Sequence, residues 1–501
     1  MKKILYIISC SLILGSCQQE LDITSPSTLT FQGFWDSEDG VRAAHTGLYS
    51  NFRSNAGNFW IMGEVRSDIY GGNTFETPSN VGYIESNISS TIVPFDNWAG
   101  LYTSIHRLND FIANAPNIVF DNPNEQSHML GQAYGIRAFY YYTLLKTWGK
   151  VPISIEPLIN VDPANMSKAR SSKNEVMQLI KEDLATSLSY FGSDGSYWNN
   201  KRIYWSKAAT LALKGDVYIW SGNILEGGNA DFEEAIVALQ QIAGLNVALE
   251  TNFADVWDYT NQENNEFIFS FDYEQDEATN FYSLLTGRGT EIQPQFDQYG
   301  NSMSDFTVNG NNRYGPSEKM LLALDDPLDS RSTETFIKLY KDDNGGAGYP
   351  NYDSNAYAGA MTKKFIGTVT AGARLTTNDI PLYRYADVLL LIAEAKNLLG
   401  EDPSAEINAV RARAYAGNYD NVVHGYTNAS KSENTEAILE ERFKEFATEG
   451  KRWWDLRRAG DNYVIDNNDY ISSNESYLLQ LPISIDMIGR NPLLEQTEGY
   501  Q

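Results

Sequence analysis

Apolar residues return every three or four positions over long stretches of this chain, the spacing of helices that bury one face. The clearest run is Ile438 to Gly460, in which Leu439, Phe443, Phe446, Gly450 and Trp453 line one side. Its other side is charged, with Glu440 four residues before Lys444 and Glu449 three before Arg452. Such pairs contribute only about 0.2–0.5 kcal/mol each, so the stripe must hold a single helix against something larger. Arg452, Asp455, Arg457 and Arg458 crowd round Trp453 and Trp454. That composition suits a ligand site or a buried, salt-bridged closing helix, and the second is the commoner use.

The same period marks Ser37 to Phe52, Trp98 to Ala115 (ended by Pro116) and Glu125 to Trp148 (ended by Gly149 and Pro152). Ser172 and Glu175 form a capping box that opens a helix running to Gly192. In Ala212 to Trp220 followed by Asp231 to Ile236, small residues on one helix face a large aromatic on the next. This is tetratricopeptide-like packing, a unit of about 34 residues. Tyr383 to Leu399 and Ser404 to Tyr415 have the same character, with Ala386, Ala393 and Ala395 as small contacts. Each pair leaves an apolar face bare and must stack on its neighbours. The expected fold is therefore predominantly all-α, a tetratricopeptide-like helical-repeat scaffold over residues 98–245 and 383–458. Two stretches, 53–97 and 250–380, lose the period and gather Gly, Asn, Asp and aromatics, with only short helical patches in the second. Gly345 to Gly348 lies in its least structured part. Long irregular segments in compact domains are usually functional, so the two are expected to form a ligand face. Residues 461–501 read as loop.

Charge narrows the function. Against 38 Lys and Arg the 501 residues set 65 Asp and Glu, a net charge of −27. Such a surface, with no basic stripe, repels nucleic acid and disfavours anionic lipid head groups. The two cysteines, Cys10 and Cys17, both fall at the start. Lys2 and Lys3, the apolar run Ile4 to Leu14 and the small residues before Cys17 make a signal peptide over 1–16, too short to span a bilayer. Residues 17–36 follow as an N-terminal tether, and 37–501 as one domain.

Catalytic and metal motifs are missing. His45, His106, His128 and His424 are scattered, and there is no zinc, P-loop, dinucleotide or nucleophile-elbow pattern. Asp342 to Asn344 and Asp466 to Asp469 are acidic turns of a kind that holds calcium, but neither makes an EF-hand loop, and no cofactor is expected. A glycoside hydrolase needs only two suitably spaced carboxylates, and nothing in the pattern nominates a pair. What remains is the aromatic, amide and carboxylate mixture of the irregular stretches. Aromatic faces stack on sugar rings while Asp, Asn and Arg fix hydroxyls. Trp60, Arg66, Asp68, Tyr70, Asn73 and Tyr83, with Trp98 behind them, are the candidates in the first stretch; Tyr282, Tyr299 and Tyr314 are those in the second.

Several of these features resemble the SusD/RagB family of outer-membrane nutrient-binding lipoproteins. Glu441, Arg442, Glu445, Glu449, Gly450, Arg452, Asp455, Leu456 and Arg458 match its C-terminal signature, and Leu14-Gly15-Ser16-Cys17 resembles a lipobox. Trp98-x-x-Leu101-Tyr102, Trp148-Gly149-x-Val151-Pro152 and Arg384-Tyr385-Ala386-Asp387 fit in order, and Asp329-Ser330-Arg331 is similar to its D-P-R. The resemblance implies a non-enzymatic protein, lipidated at Cys17 and exposed on the outer membrane of a Bacteroidetes-type bacterium. It implies that the protein binds an oligosaccharide or polysaccharide and passes it to a SusC-like TonB-dependent transporter. Peptide or other nutrient capture by the same architecture is the alternative, and a surface glycoside hydrolase the more distant one. The family's ligand residues are poorly fixed in sequence, so only the location in the loops carries over, and the glycan stays open.

Overall fold

The computed structural model describes residues 34–71, 78–95, 97–158, 166–307, 310, 314–343 and 355–500. The expected signal peptide and Cys17, together with Asn73 and Gly345 to Gly348, lie outside the described residues.

Helix α1 (Glu38–Ser54) begins at Ser37, whose hydroxyl accepts the Gly40 N–H at 3.2 Å. Two helices then occupy the stretch expected to be irregular, α2 (Ala56–Glu64) and α3 (Pro78–Ile84). The first of them escaped the pattern because it is buried nearly all round: Ala56, Phe59, Trp60, Met62, Gly63 and Glu64 leave no polar face to mark a period. The repeat region follows the sequence, within two residues for α4 (Ala99–Asn114), α5 (Pro123–Trp148) and α6 (Lys173–Phe191), while α7 (Lys207–Ile224) and α8 (Asn229–Gln241) extend up to five residues beyond the stretches expected. The capping box at Ser172 forms in both directions. Small-to-large packing is equally literal, since a Cβ on Gly222 of α7 would lie 2.4 Å from the Phe232 ring of α8.

The middle stretch is corrected by the structure. It is not limited to helical patches but holds strands: β1 (Phe267–Phe271), β2 (Phe296–Asp297), then a short α9 (Glu318–Ala323), β3 (Phe336–Tyr340), β4 (Tyr357–Thr362), β5 (Thr368–Thr370), β6 (Ala373–Leu375) and β7 (Ile380–Arg384). They pair antiparallel as β1–β7, β2–β3–β4 and β5–β6. Strands this short give little period-two signal, and β1 is buried at every position, so it shows no alternation. Strand β7 runs straight into α10 (Tyr385–Leu399), which pairs with α11 (Ser404–Tyr415).

The single closing helix is corrected as well. It is two, α12 (Lys431–Glu445) and α13 (Arg452–Ala459), with Thr448 at φ 74° and Gly450 at φ 76° between them. The glycine inside the periodic run is therefore a turn, taking a left-handed conformation that few other residues tolerate. Short helices α14 (Asp461–Asn467) and α15 (Ile485–Arg490) punctuate the tail expected to be loop. No described helix is long and apolar enough to cross a membrane.

The break between α12 and α13 receives α2. Trp60 donates its indole N–H to the Thr448 carbonyl at 2.9 Å, and the Glu64 carboxylate accepts the N–H groups of Thr448 at 2.6 Å and Lys451 at 2.9 Å. Beneath this joint lies a buried ion lattice. Arg384, at the end of β7, donates to Glu266 at 2.5 Å, Glu445 at 2.6 Å and Glu449 at 2.8 Å. Arg413 adds bonds to Glu266 and Glu445. Arg331 bonds Asp329 and, at 2.6 Å, Glu441, while Lys364 reaches Glu449 at 2.8 Å. A second group joins Arg442 to Asp387 and Asp455, and Arg458 to Asp216, Glu394 and Asp455. Burial by itself pushes the Glu445 carboxyl up, but Arg413, Arg384 and Arg331 outweigh it and hold the group far below the usual carboxylate range.

Two consequences are measurable. A Cβ on Gly63 would lie 1.8 Å from the Gly450 carbonyl oxygen, backbone against backbone. Gly63→Ala is expected to cost about 3 kcal/mol or more, read as a fall in Tm. Glu445 has a lowered folded pKa, so its contribution is present above the unfolded value of about 4.3 and is lost as pH falls towards the folded one. Glu445→Gln should therefore cost about 3–5 kcal/mol at pH 7 by stranding buried guanidinium charge. In urea denaturation below pH 4 the variant should lose stability less steeply than the wild type.

Candidate functional site

The signature arginines are committed inside the protein: Arg452 and Arg458 are 4% and 2% exposed. Most of the aromatic candidates also point inward. Trp60, Tyr70 and Tyr314 meet in one cluster, with ring centroids 5.2–5.8 Å apart, and each is buried. Arg66 lies buried over the Trp453 ring at 4.3 Å, with Tyr83 at 5.9 Å, and donates to the Leu478 carbonyl. Asp68 accepts two bonds from Arg452, at 2.8 and 2.9 Å, and one from Lys319 at 2.7 Å. Burial works against its charge, but these two cations prevail and hold its carboxyl low. Tyr282 is fully buried and donates to the Thr362 carbonyl at 2.5 Å. These side chains face protein rather than solvent. The sequence does not separate an aromatic that pins a loop from one that awaits a ligand, because both uses need the same ring.

Two candidates present ring surface. Tyr299 is 65% exposed. It stands on a turn at the edge of the β2–β3–β4 sheet, where the Asp297 carboxylate accepts the N–H groups of Tyr299 and Asn301, both at 2.8 Å. Gly300, at φ 81°, completes the turn. The arrangement offers a free aromatic face beside fixed polar groups, the pairing that recognises a sugar ring.

Trp98, half-buried ahead of α4, packs edge-on against Tyr102 and Trp148, with centroids 5.7 and 5.6 Å away. It lines a cleft of about 350 Å³ whose other walls come from the strap after α5 and from α15, including Leu158, Met166, Lys168, Met487, Arg490 and Leu494. The volume is within the range of ligand pockets, about 300–1,000 Å³. The tail residues of this cleft were missed by sequence reasoning. Nothing marks them locally, since only the fold brings positions 486–494 to Trp98.

A second opening, of about 210 Å³, lies between α1 and the end of β1, with Asp272 and Glu277 at its rim. Arg53 ties up Glu277 at 2.5 Å. Burial pushes the carboxyls of Glu64 and Asp379 up to about 8, but neither lines any of these openings. Among the described residues no cluster of three His, Cys, Asp or Glu is placed to hold a metal.

Comparison with known proteins accounts for nearly the whole chain. The model of the SusD family matches residues 265–500, and a model described as starch-binding associating with outer membrane matches residues 20–219. The solved structure of NanU from B. fragilis is 34% identical, with a TM-score of 0.85 over 96% of this chain and 100% of that one. SusD-like protein P38 of Formosa agariphila is 27% identical over 99% of this chain and 98% of its own length. The starch-binding protein SusD of Bacteroides thetaiotaomicron is 23% identical over 73% of this chain and 72% of its own. These likenesses extend over both halves of the molecule, and the chain belongs to the SusD family.

Proposed function

We propose that the chain is a non-enzymatic outer-membrane lipoprotein that binds an oligosaccharide or polysaccharide and passes it to a SusC-like TonB-dependent transporter. The observation that carries this reading is the full-length likeness to SusD-family proteins, among them one named for starch binding. The exposed Tyr299 turn supports it, since the ring lies free to stack while Asp297 and Asn301 hold the turn in shape. In this reading Cys17 carries the lipid, and the protein is exposed at the cell surface. Binding by a shallow, partly polar face is weak, micromolar or poorer, because little of the buried area converts to affinity. Tethering beside the transporter raises the effective concentration and compensates.

Isothermal titration of the mature domain against a panel of oligosaccharides tests the reading. At least one sugar should bind, and Tyr299→Ala should weaken it about tenfold, roughly 1.4 kcal/mol, without moving Tm. Binding to peptides and to no sugar would replace the glycan reading with peptide capture. Cys17→Ala should shift the protein from the membrane fraction to the soluble one, and retention in the membrane would sink the anchor assignment.

A further inference from the structure

The cleft at Trp98 is bordered by segments that carry exposed apolar side chains. Among the described residues fifteen large apolar side chains are exposed, and six lie on the segments that line or adjoin the cleft: Ile92, Ile155, Leu158, Met166, Ile485 and Leu493, each 44–59% exposed. Leu158 and Met166 line the cleft, while Ile155, Ile485 and Leu493 each adjoin a lining residue in the chain. The Ile485 N–H donates to the Ser90 carbonyl at 3.3 Å, which brings the Ser89–Ile92 turn to the same rim. These side chains come from three separate stretches, so the fold assembles the patch. Its floor is firm, because the Tyr102 hydroxyl donates to the Pro152 carbonyl at 2.5 Å. Soluble proteins rarely leave apolar side chains this exposed on several neighbouring segments unless something covers them.

We infer that this face docks the protein partner, through apolar side chains that enter the cleft. The inference rests on the reading that the chain works with a membrane transporter. Charge favours that occupant over two others. The charged residues of the cleft are Lys168, Asp486 and Arg490, and Asp486 pairs with Arg490 at 2.8 Å. The patch is thus nearly neutral and has no cationic array to hold an anionic lipid surface. A second copy of the chain would bring a net charge of −27 against another −27. A protein surface with an apolar centre and a balanced polar rim meets neither obstacle, and that is the usual anatomy of an interface.

The test uses the full-length lipidated protein in its own outer membrane, with Leu493→Glu and Ile485→Glu made singly and together. Both side chains are about half exposed, so the fold should survive, which an unchanged Tm verifies. Extraction in mild detergent and affinity purification, with mass spectrometry of what co-purifies, should recover a TonB-dependent barrel with the wild type. The double variant should carry at least tenfold less of it, while its sugar affinity in titration stays unchanged. Barrel recovery equal to wild type from a folded double variant would overturn the inference and leave the transporter reading intact. A loss of sugar affinity with full barrel recovery would overturn it in favour of a ligand cleft. Concentration-dependent self-association abolished by the substitutions, with barrel recovery unchanged, would assign the face to a second copy. A wild type that carries no barrel would overturn the inference and the transporter reading together, and sugar titration would still judge the glycan reading separately.

Discussion

Arg384 sits where three parts of the chain must agree. It is the last residue of β7 and the residue before α10, and its guanidinium is fully buried. A charge so placed persists only if carboxylates meet it with good geometry. Glu266 arrives because β1 pairs with β7 in a register that sets Phe267 opposite Arg384. Glu445 and Glu449 arrive because α12 ends and the chain turns before α13. Apolar packing alone tolerates small slips between elements, whereas a fork of hydrogen bonds does not. The lattice around Arg384 gives less net stability than its number of bonds suggests, since desolvation offsets much of the attraction. Its larger effect is to fix register between the strands of the middle region and the helices of the C-terminal part.

That constraint also decides where recognition is possible. Arg452 spends its guanidinium on Asp68 and the Leu439 carbonyl, and Arg458 on Glu394, Asp216 and Asp455, so these arginines of the closing stretch fasten the fold. The same logic absorbs Asp68 and Arg66, each held by a buried partner from the C-terminal part. What the frame leaves over is its edges: the Tyr299 turn beyond β2, and the cleft where the strap after α5 meets α15. Both lie on connections that a rigid body presents, the usual relation between scaffold and function.

Much of the frame was legible in the sequence because amphipathic helices announce themselves. Helices α4 to α6 fall within two residues of their apolar stripes, α7 and α8 enclose theirs, and the Ser172 capping box and the small residues of α7 have the local meaning that the pattern suggests. Where burial was complete, the pattern was silent. Helix α2 and strand β1 are buried on nearly every side, so neither shows a period. In the closing run the pattern misled, since Phe443, Phe446, Gly450 and Trp453 keep helical spacing while the chain turns at Thr448 and Gly450. The cause lies far away in the sequence, in the Glu64 carboxylate that takes up the N–H groups at the turn. The aromatic candidates failed to sort for a related reason. Trp60 and Tyr299 are both rings in irregular sequence, and only tertiary packing buries one and exposes the other.

The distribution of charge sharpens what recognition must consist of. Around Arg384 five cations, Arg331, Lys364, Arg384, Arg411 and Arg413, face five carboxylates, Asp329, Glu266, Glu441, Glu445 and Glu449. The interior of that group therefore cancels, and the net −27 is carried by the rest of the molecule, mostly its surface. A field of that sign keeps copies of the chain apart and repels anionic polymers. It does nothing to draw in a neutral sugar. Affinity for such a ligand must come from short-range contacts, a ring face such as that of Tyr299 and hydrogen bonds aimed at hydroxyls. The nearly neutral apolar rim at Trp98 is, on the same argument, where another protein can approach closely at least electrostatic cost. A net charge of −27 thus leaves recognition to short-range contacts, which the proposed sugar contact at Tyr299 and the proposed docking face at Trp98 both use.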